Sequence, residues 1–257
     1  MSESFDPETF KAAWYANPQE AIVDLEERTR RSGWTNLPDV VVTIAKHHTR
    51  LGQPEQARAW LYPLLDRIND GYVALHLANT FRFDESVHDF DEGLGHAQRA
   101  LTLARGERDG PLALASLLAL CEFMEATHAP KQALEYAGEA MGIAEALGSD
   151  AATIEPLVAL SRLHMKNGVR GKAEAQAQRA AYRSEGTGHA LEQAFAAMAL
   201  AYARNDAGAA ERAVELTAQE HHLPLKARAH HLRSLAAGSQ EAEGNLTAFL
   251  YPPHATP

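Results

Sequence analysis

Residues 117–148 read LLALCEFMEATHAPKQALEYAGEAMGIAEALG, two helical patterns joined by a short turn. In the first half Leu117, Leu120, Cys121 and Met124 fall at i, i+3, i+4 and i+7, which places them on one face of a helix. In the second half Ala133, Ala137 and Ala140 line a face of small residues. Thr127-His128-Ala129 lies between them, too short to do more than reverse the chain. The stretch predicts an antiparallel helix hairpin whose second helix presses closely on its neighbours.

Working outward, the pattern recurs. Alanines at Ala57, Ala97, Ala133, Ala173 and Ala210 are separated by 40, 36, 40 and 37 residues. Positions four and seven residues beyond each are small or apolar: Leu61 and Leu64, Leu101 and Ala104, Ala137 and Ala140, Ala177 and Ala180, Val214 and Thr217. Upstream helices share the register of Leu117. They carry Val41, Ile44, Ala45 and His48, then Leu157, Leu160, Ser161 and His164, then Phe195, Met198, Ala199 and Tyr202. The third position of each face is small, as a close helix crossing requires. Turns are expected at Leu51-Gly52, Asn167-Gly168 and Asn205-Asp206, with short polar links at 147–150 and 184–188.

These residues resemble the tetratricopeptide repeat family in a long-period form of about 36–40 residues, over about Asp39 to Thr217. The most specific match is Ala-Leu-Glu-Tyr-Ala at 133–137 leading into Ile-Ala-Glu-Ala-Leu-Gly at 143–148. The family's Trp-Leu-Gly signature is degenerate here. The resemblance implies an all-α fold, a right-handed α-solenoid of antiparallel hairpins whose first helices line a concave groove. The expected organisation is one domain over 1–257, with about five full helix pairs between 38 and 218. Partial or capping hairpins are expected at 7–32 and 225–250, around Phe10, Trp14, Ala21, Ile22 and Leu25, and around Leu225, Ala229, Leu232 and Leu235 with Leu246, Phe249 and Leu250.

The third unit departs from the pattern. Carrying the register back from Ala97 sets Phe81, Asp84, Glu85 and His88 on the core face, and three polar groups are costly to bury there. The first helix of this unit is therefore expected upstream, with Tyr72, Leu75, His76 and Asn79 as its face and 84–93 as a long acidic turn.

A formal charge of −10 argues against nonspecific binding to nucleic acid or an anionic membrane, because both need a basic face. No apolar run is long enough to span a bilayer and the first residues lack a signal pattern, so a cytoplasmic protein is expected. The single Cys121 sits in an apolar stretch and reads as a buried thiol.

Chemistry-bearing patterns are weak. His88, Asp89, Asp91, Glu92 and His96 include metal-ligand types, but no zinc spacing is present and a solvated turn is the simpler reading. Adjacent pairs such as His47-His48, His221-His222 and His230-His231 point about 100° apart on a helix and do not chelate one ion. Gly168 to Lys172 loosely resembles a phosphate loop without a preceding strand, and no nucleophile elbow occurs. The expectation is a non-catalytic protein with no cofactor and no bound metal.

The function that the resemblance implies is a scaffold holding another protein or a peptide segment, with self-association compatible. The alternative is a ligand- or peptide-sensing bacterial regulator without its own DNA-binding domain. A metal protein or enzyme centred on 84–96 ranks below both. If the first helices face a groove, its flank carries Lys46, Arg50, Glu122, Glu125, Arg162, Met165, Lys166 and Arg204, in basic, acidic and basic bands.

Overall fold

The computed structural model describes residues 5–82 and 90–236. Among these residues the chain is all helical, with thirteen α-helices and no strand. Six consecutive pairs are α1 (Pro7–Ala16) with α2 (Pro18–Ser32), α3 (Pro38–Arg50) with α4 (Pro54–Leu65), α5 (Gly71–Arg82) with α6 (Asp91–Glu107), α7 (Gly110–Ala126) with α8 (Pro130–Leu147), α9 (Asp150–Lys166) with α10 (Arg170–Glu185), and α11 (Ala190–Arg204) with α12 (Ala207–Gln219). A thirteenth, α13 (Leu223–Ala236), follows. No helix among the described residues is long and apolar enough to cross a membrane.

Local chemistry sets the helix ends. Proline opens α2, α3, α4 and α8, where its fixed φ suits a first turn and its missing N–H costs no hydrogen bond. The carboxylates of Asp109 and Asp206 accept from the backbone N–H of Leu112 and Ala209, capping α7 and α12. Four hairpins end their first helix alike, with Gly52, His128, Gly168 and Asn205 in the left-handed region. The next residue's N–H then reaches back to His48, Met124, His164 and Ala201, satisfying carbonyls the helix leaves open.

The repeated alanines explain the packing. Ala57, Ala97, Ala133, Ala173 and Ala210 are all inaccessible to solvent, as are Leu61, Ala137, Ala140, Ala177, Ala180 and Thr217 of the same faces. Every helix packs on the next in sequence. The odd-numbered helices from α3 to α13 also pack directly on one another, α3 on α5 through to α11 on α13, whereas no two even-numbered helices pack to that extent. The odd helices thus form one continuous row, and the small third positions Ala45, Cys121, Ser161 and Ala199 let it close. Ser161 adds a bond across its hairpin, its hydroxyl donating to the Ala173 carbonyl at 2.8 Å.

The third unit is placed as expected, with α5 ending at Arg82, but its buried face differs. Tyr72 is exposed at 44% and donates to Asp109, while His76 and Asn79 are only partly covered. Val73, Ala74, Leu77, Ala78 and Phe81 carry the burial, together with Leu75. The reason is that α5 packs against α3, α4, α6 and α7 at once, so no single stripe serves it. Nor does the expected turn extend to residue 93. Asp91 starts α6, and Gly93 is buried so tightly that a Cβ there would lie 2.7 Å from both Phe81 Cβ and the Phe123 ring.

The first hairpin buries Phe10, Trp14, Ala21, Ile22 and Leu25 against Val40 and Ile44. At the far end Leu225, Ala229 and Leu232 cover Ala197, Met198 and Ala213. The expected second half of that hairpin, at Leu246, Phe249 and Leu250, lies outside the described residues. The two ends of the described chain meet: the Tyr15 hydroxyl is 3.4 Å from Glu220 Oε2, and the Trp14 and His221 rings are 6.2 Å apart.

Candidate functional site

A shallow recess, open to solvent, lies against the row of odd helices. Its apolar floor comes from Leu118 of α7, Val158 and Ala159 of α9, Phe195, Met198, Ala199 and Tyr202 of α11, and Leu225 of α13. Its charged groups are Arg82 at the end of α5, Glu122 of α7, Glu155 and Arg162 of α9, and Arg228 of α13. Helical spacing puts them there. Leu118, Glu122 and Glu125 are four and three residues apart, and Glu155, Ala159 and Arg162 repeat the step one hairpin later.

The acidic band on α7 and the basic band on α9 satisfy each other, with Arg82 of α5 joining them. Arg82 grips Glu122 through two nitrogens at 2.7 and 3.0 Å. Arg162 binds Glu125 at 2.6 and 2.8 Å, and Lys166 Nζ lies 2.9 Å from the other oxygen of the same carboxylate. Arg162 also stands 3.9 Å from Glu122. Glu125, at 5% exposure, is a buried group rather than a groove flank. Burial alone would push the Glu122 carboxyl up, yet Arg82, Arg162 and Arg228 hold it down at about 2. Burial opposes the charge on Arg162 too, but Glu125 and Glu122 overcome it and keep the guanidinium firmly protonated.

Glu155 is the exception. Exposed on the wall of the recess, it makes no hydrogen bond or ion pair among the described residues. The surrounding protein raises its pKa by desolvation, Arg82 counters this in part, and the charges of Glu122 and Glu192 raise it further. Glu192, in the first turn of α11, has a carboxylate oxygen buried from water with no hydrogen-bond partner.

The remaining expected residues divide. Lys46 is exposed with no carboxylate partner among the described residues, and desolvation together with Arg50 lowers its pKa. Arg50 is half-buried and feels Glu220 and Tyr15 across the junction of the chain ends. Beside them is His222, pushed down to about 3 by burial and then by Arg50 and Arg228. Met165 is partly buried and packs against the cluster of Ala173, Ala177, Ala199 and Ala203. Arg204 is exposed at the end of α11 and does not line the recess. Sequence reasoning missed Arg82, Glu155, Tyr202 and Arg228 as lining groups. Glu155 was legible in principle, two helical turns before Arg162 on the same face.

Other candidates carry no chemistry. His48 is a satisfied buried imidazole, its nitrogens 2.7 Å from Glu26 and 2.8 Å from Gln53. Burial pushes the Cys121 thiol up to about 12. Glu92 and His96 form an i,i+4 pair at 3.7 Å, while His88 and Asp89 lie outside the described residues. No group of three or more metal-ligating side chains occurs among the described residues.

The fold and the recess define a protein of consecutive helix hairpins with a charged, apolar-floored depression against its odd-numbered helices. No protein-family model matches the chain, and no curated protein matches it either. A functional reading therefore rests on geometry.

Proposed function

We propose that this chain is a non-catalytic scaffold, a right-handed, tetratricopeptide-like superhelix that holds a segment of another protein on its inner surface. The observation that carries the reading is the recess, which draws lining groups from five successive odd helices. Helices packed side by side in one row, with their partners splayed behind, curve toward that row. The meeting of Tyr15 with Glu220 is what such curvature produces after six hairpins. The floor combines aliphatic and aromatic surface with charged groups at its edge, the composition of a binding site.

A second reading, a ligand-sensing regulator without its own DNA-binding domain, draws on one feature. The recess sets a few charged groups around an apolar floor, the kind of lining found in small-ligand sites. A small-molecule thermal-shift screen on the intact chain separates the two.

The direct test places a photo-crosslinking residue at Phe195 on the floor, or at Tyr182 on the outer helix α10, which is 79% exposed. The scaffold reading expects a defined protein adduct from the Phe195 position and none from Tyr182. An adduct from Tyr182 alone moves the site to the outer row and overturns the reading. Reversing Arg162 and Lys166 to glutamate is not an acceptable test, because it would surround the buried Glu125 with negative charge.

A further inference from the structure

We propose that the end of α1 and the α12–α13 turn form a latch, a contact that holds the row of helices closed and lets it open when the contact breaks. The seam joins residues 205 positions apart in the chain. The Tyr15 hydroxyl donates to Glu220 Oε2 at 3.4 Å, the Tyr15 and His221 rings lie 6.3 Å apart, and the Trp14 and His221 rings stand edge to face at 6.2 Å. Each side is anchored in its own end of the molecule. Trp14 is buried, with the His47 ring of α3 4.2 Å from its own and Ile44 in the same cluster. Glu220 and His221 sit between α12 and α13, where a φ of 50° at His221 turns the chain sharply. Arg50 of α3 is half-buried beside them and feels the charges of Glu220 and Tyr15.

The seam has the character of a latch and not of a core. Tyr15 stays 44% exposed, and among the described residues no buried apolar cluster joins the two ends: Phe10 to Ile44 form one cluster and Ala197 to Leu232 another. A hydroxyl–carboxylate bond with ring edges in contact with water parts at little hydrophobic cost, as small polar interfaces within one chain do. Elsewhere the row is built by neighbours, each helix resting on the next and each odd helix from α3 on the next odd one. Small rotations at successive joints therefore add along the row and appear in full between its ends. Among the described residues the seam is the contact that opposes that sum, so a weak bond there governs a large displacement. The helix α13, which supplies Leu225 and Arg228 to the recess, follows directly on the latch turn. The latch thus sets how far apart the ends of the row stand, whatever the recess binds.

The test uses the full chain with Lys11→Cys and Ala218→Cys carrying spin labels, each within about one helical turn of the seam. Both positions are exposed, and Cys121 is buried with its thiol pushed up to about 12, so the labels go where they are placed. Double electron–electron resonance compares this protein with the same protein carrying Tyr15→Ala and Glu220→Ala. A short distance is expected to dominate in the first and to give way in the second to a distribution longer by about 10 Å, the width of one helix. Circular dichroism of the two is compared first; where Tyr15→Ala lowers the helix signal, Tyr15→Phe with Glu220→Gln removes the hydroxyl and the charge while keeping the ring. Distances unchanged by the latch substitutions would show that packing along the row alone fixes its curvature, and overturn the inference. A long, broad distribution already present with the latch intact would overturn it as well, since the ends would then not meet.

Discussion

Arg162 shows how a residue chosen from sequence as a recognition group can serve the fold instead. Its guanidinium neutralises Glu125, and removing it leaves that carboxylate buried with Lys166 as its remaining ion-pair partner. Arg162→Ala should cost about 3–5 kcal/mol in urea unfolding, the scale of a broken buried pair. Lys46→Ala should stay within about 0.5 kcal/mol of wild type, since the side chain is exposed with no carboxylate partner among the described residues. Equal effects would show that the Glu125 pair is not structural. Glu155 makes the opposite argument. Its folded pKa is raised above 4.5, so the folded state binds its proton more tightly than the unfolded state does. Stability from this group is therefore present below about pH 4.5 and lost as pH rises through the folded value. Glu155→Gln should raise Tm near pH 7, where the carboxylate is charged, and leave it unchanged near pH 3.5. A Tm that falls near pH 7 would mean that Glu155 is paired in solution.

At the scale of elements, four hairpin turns share one geometry but not one residue. Gly52 and Gly168 enter the left-handed region freely, Asn205 tolerates it, and His128 occupies it with φ 58°. His128→Gly should therefore stabilise the α7–α8 hairpin by up to about 1 kcal/mol, read from the urea midpoint. A loss of stability would show that the imidazole makes a compensating contact. Gly93 reports on the close approach of α6 to α5 and α7. Its substitution by alanine drives a Cβ into Phe81 and Phe123, and should cost about 1–3 kcal/mol through overpacking. Phe81 of α5 and Phe123 of α7 close on Gly93 from two sides, and glycine makes room for both.

Over the whole molecule, stability should follow nearest-neighbour packing. The largest continuous core runs from Val41 to Leu163, while Phe10 to Ile44 and Ala197 to Leu232 form separate clusters. Hydrogen exchange should accordingly be slowest in α7 and α8 and fastest in α1 and α13, with the difference reflecting local opening of the ends. The meeting of Tyr15 and Trp14 with Glu220 and His221 is too slight to equalise them. Uniform protection from end to end would mean that the chain closes as a single cooperative unit.

The sequence alone determined the hairpins, their turns and the alanine faces, because these depend on residues within one or two helical turns of each other. Ala133 with Ala137, or Gly52 after Leu51, carries its instruction locally. The face of α5 was not legible, since four neighbours bury it and no single period describes it. Nor was the identity of the unsatisfied charge. Lys46, Glu125, Arg162 and Glu155 look alike as charged residues on first helices. What separates them is which partner arrives from another helix: Arg82 reaches Glu122 across 40 residues, Arg162 reaches Glu125 across 37, and among the described residues no hydrogen bond or ion pair reaches Glu155. Only tertiary structure brings such groups within bonding distance, so only tertiary structure decides which charges hold the fold and which remain available to a partner.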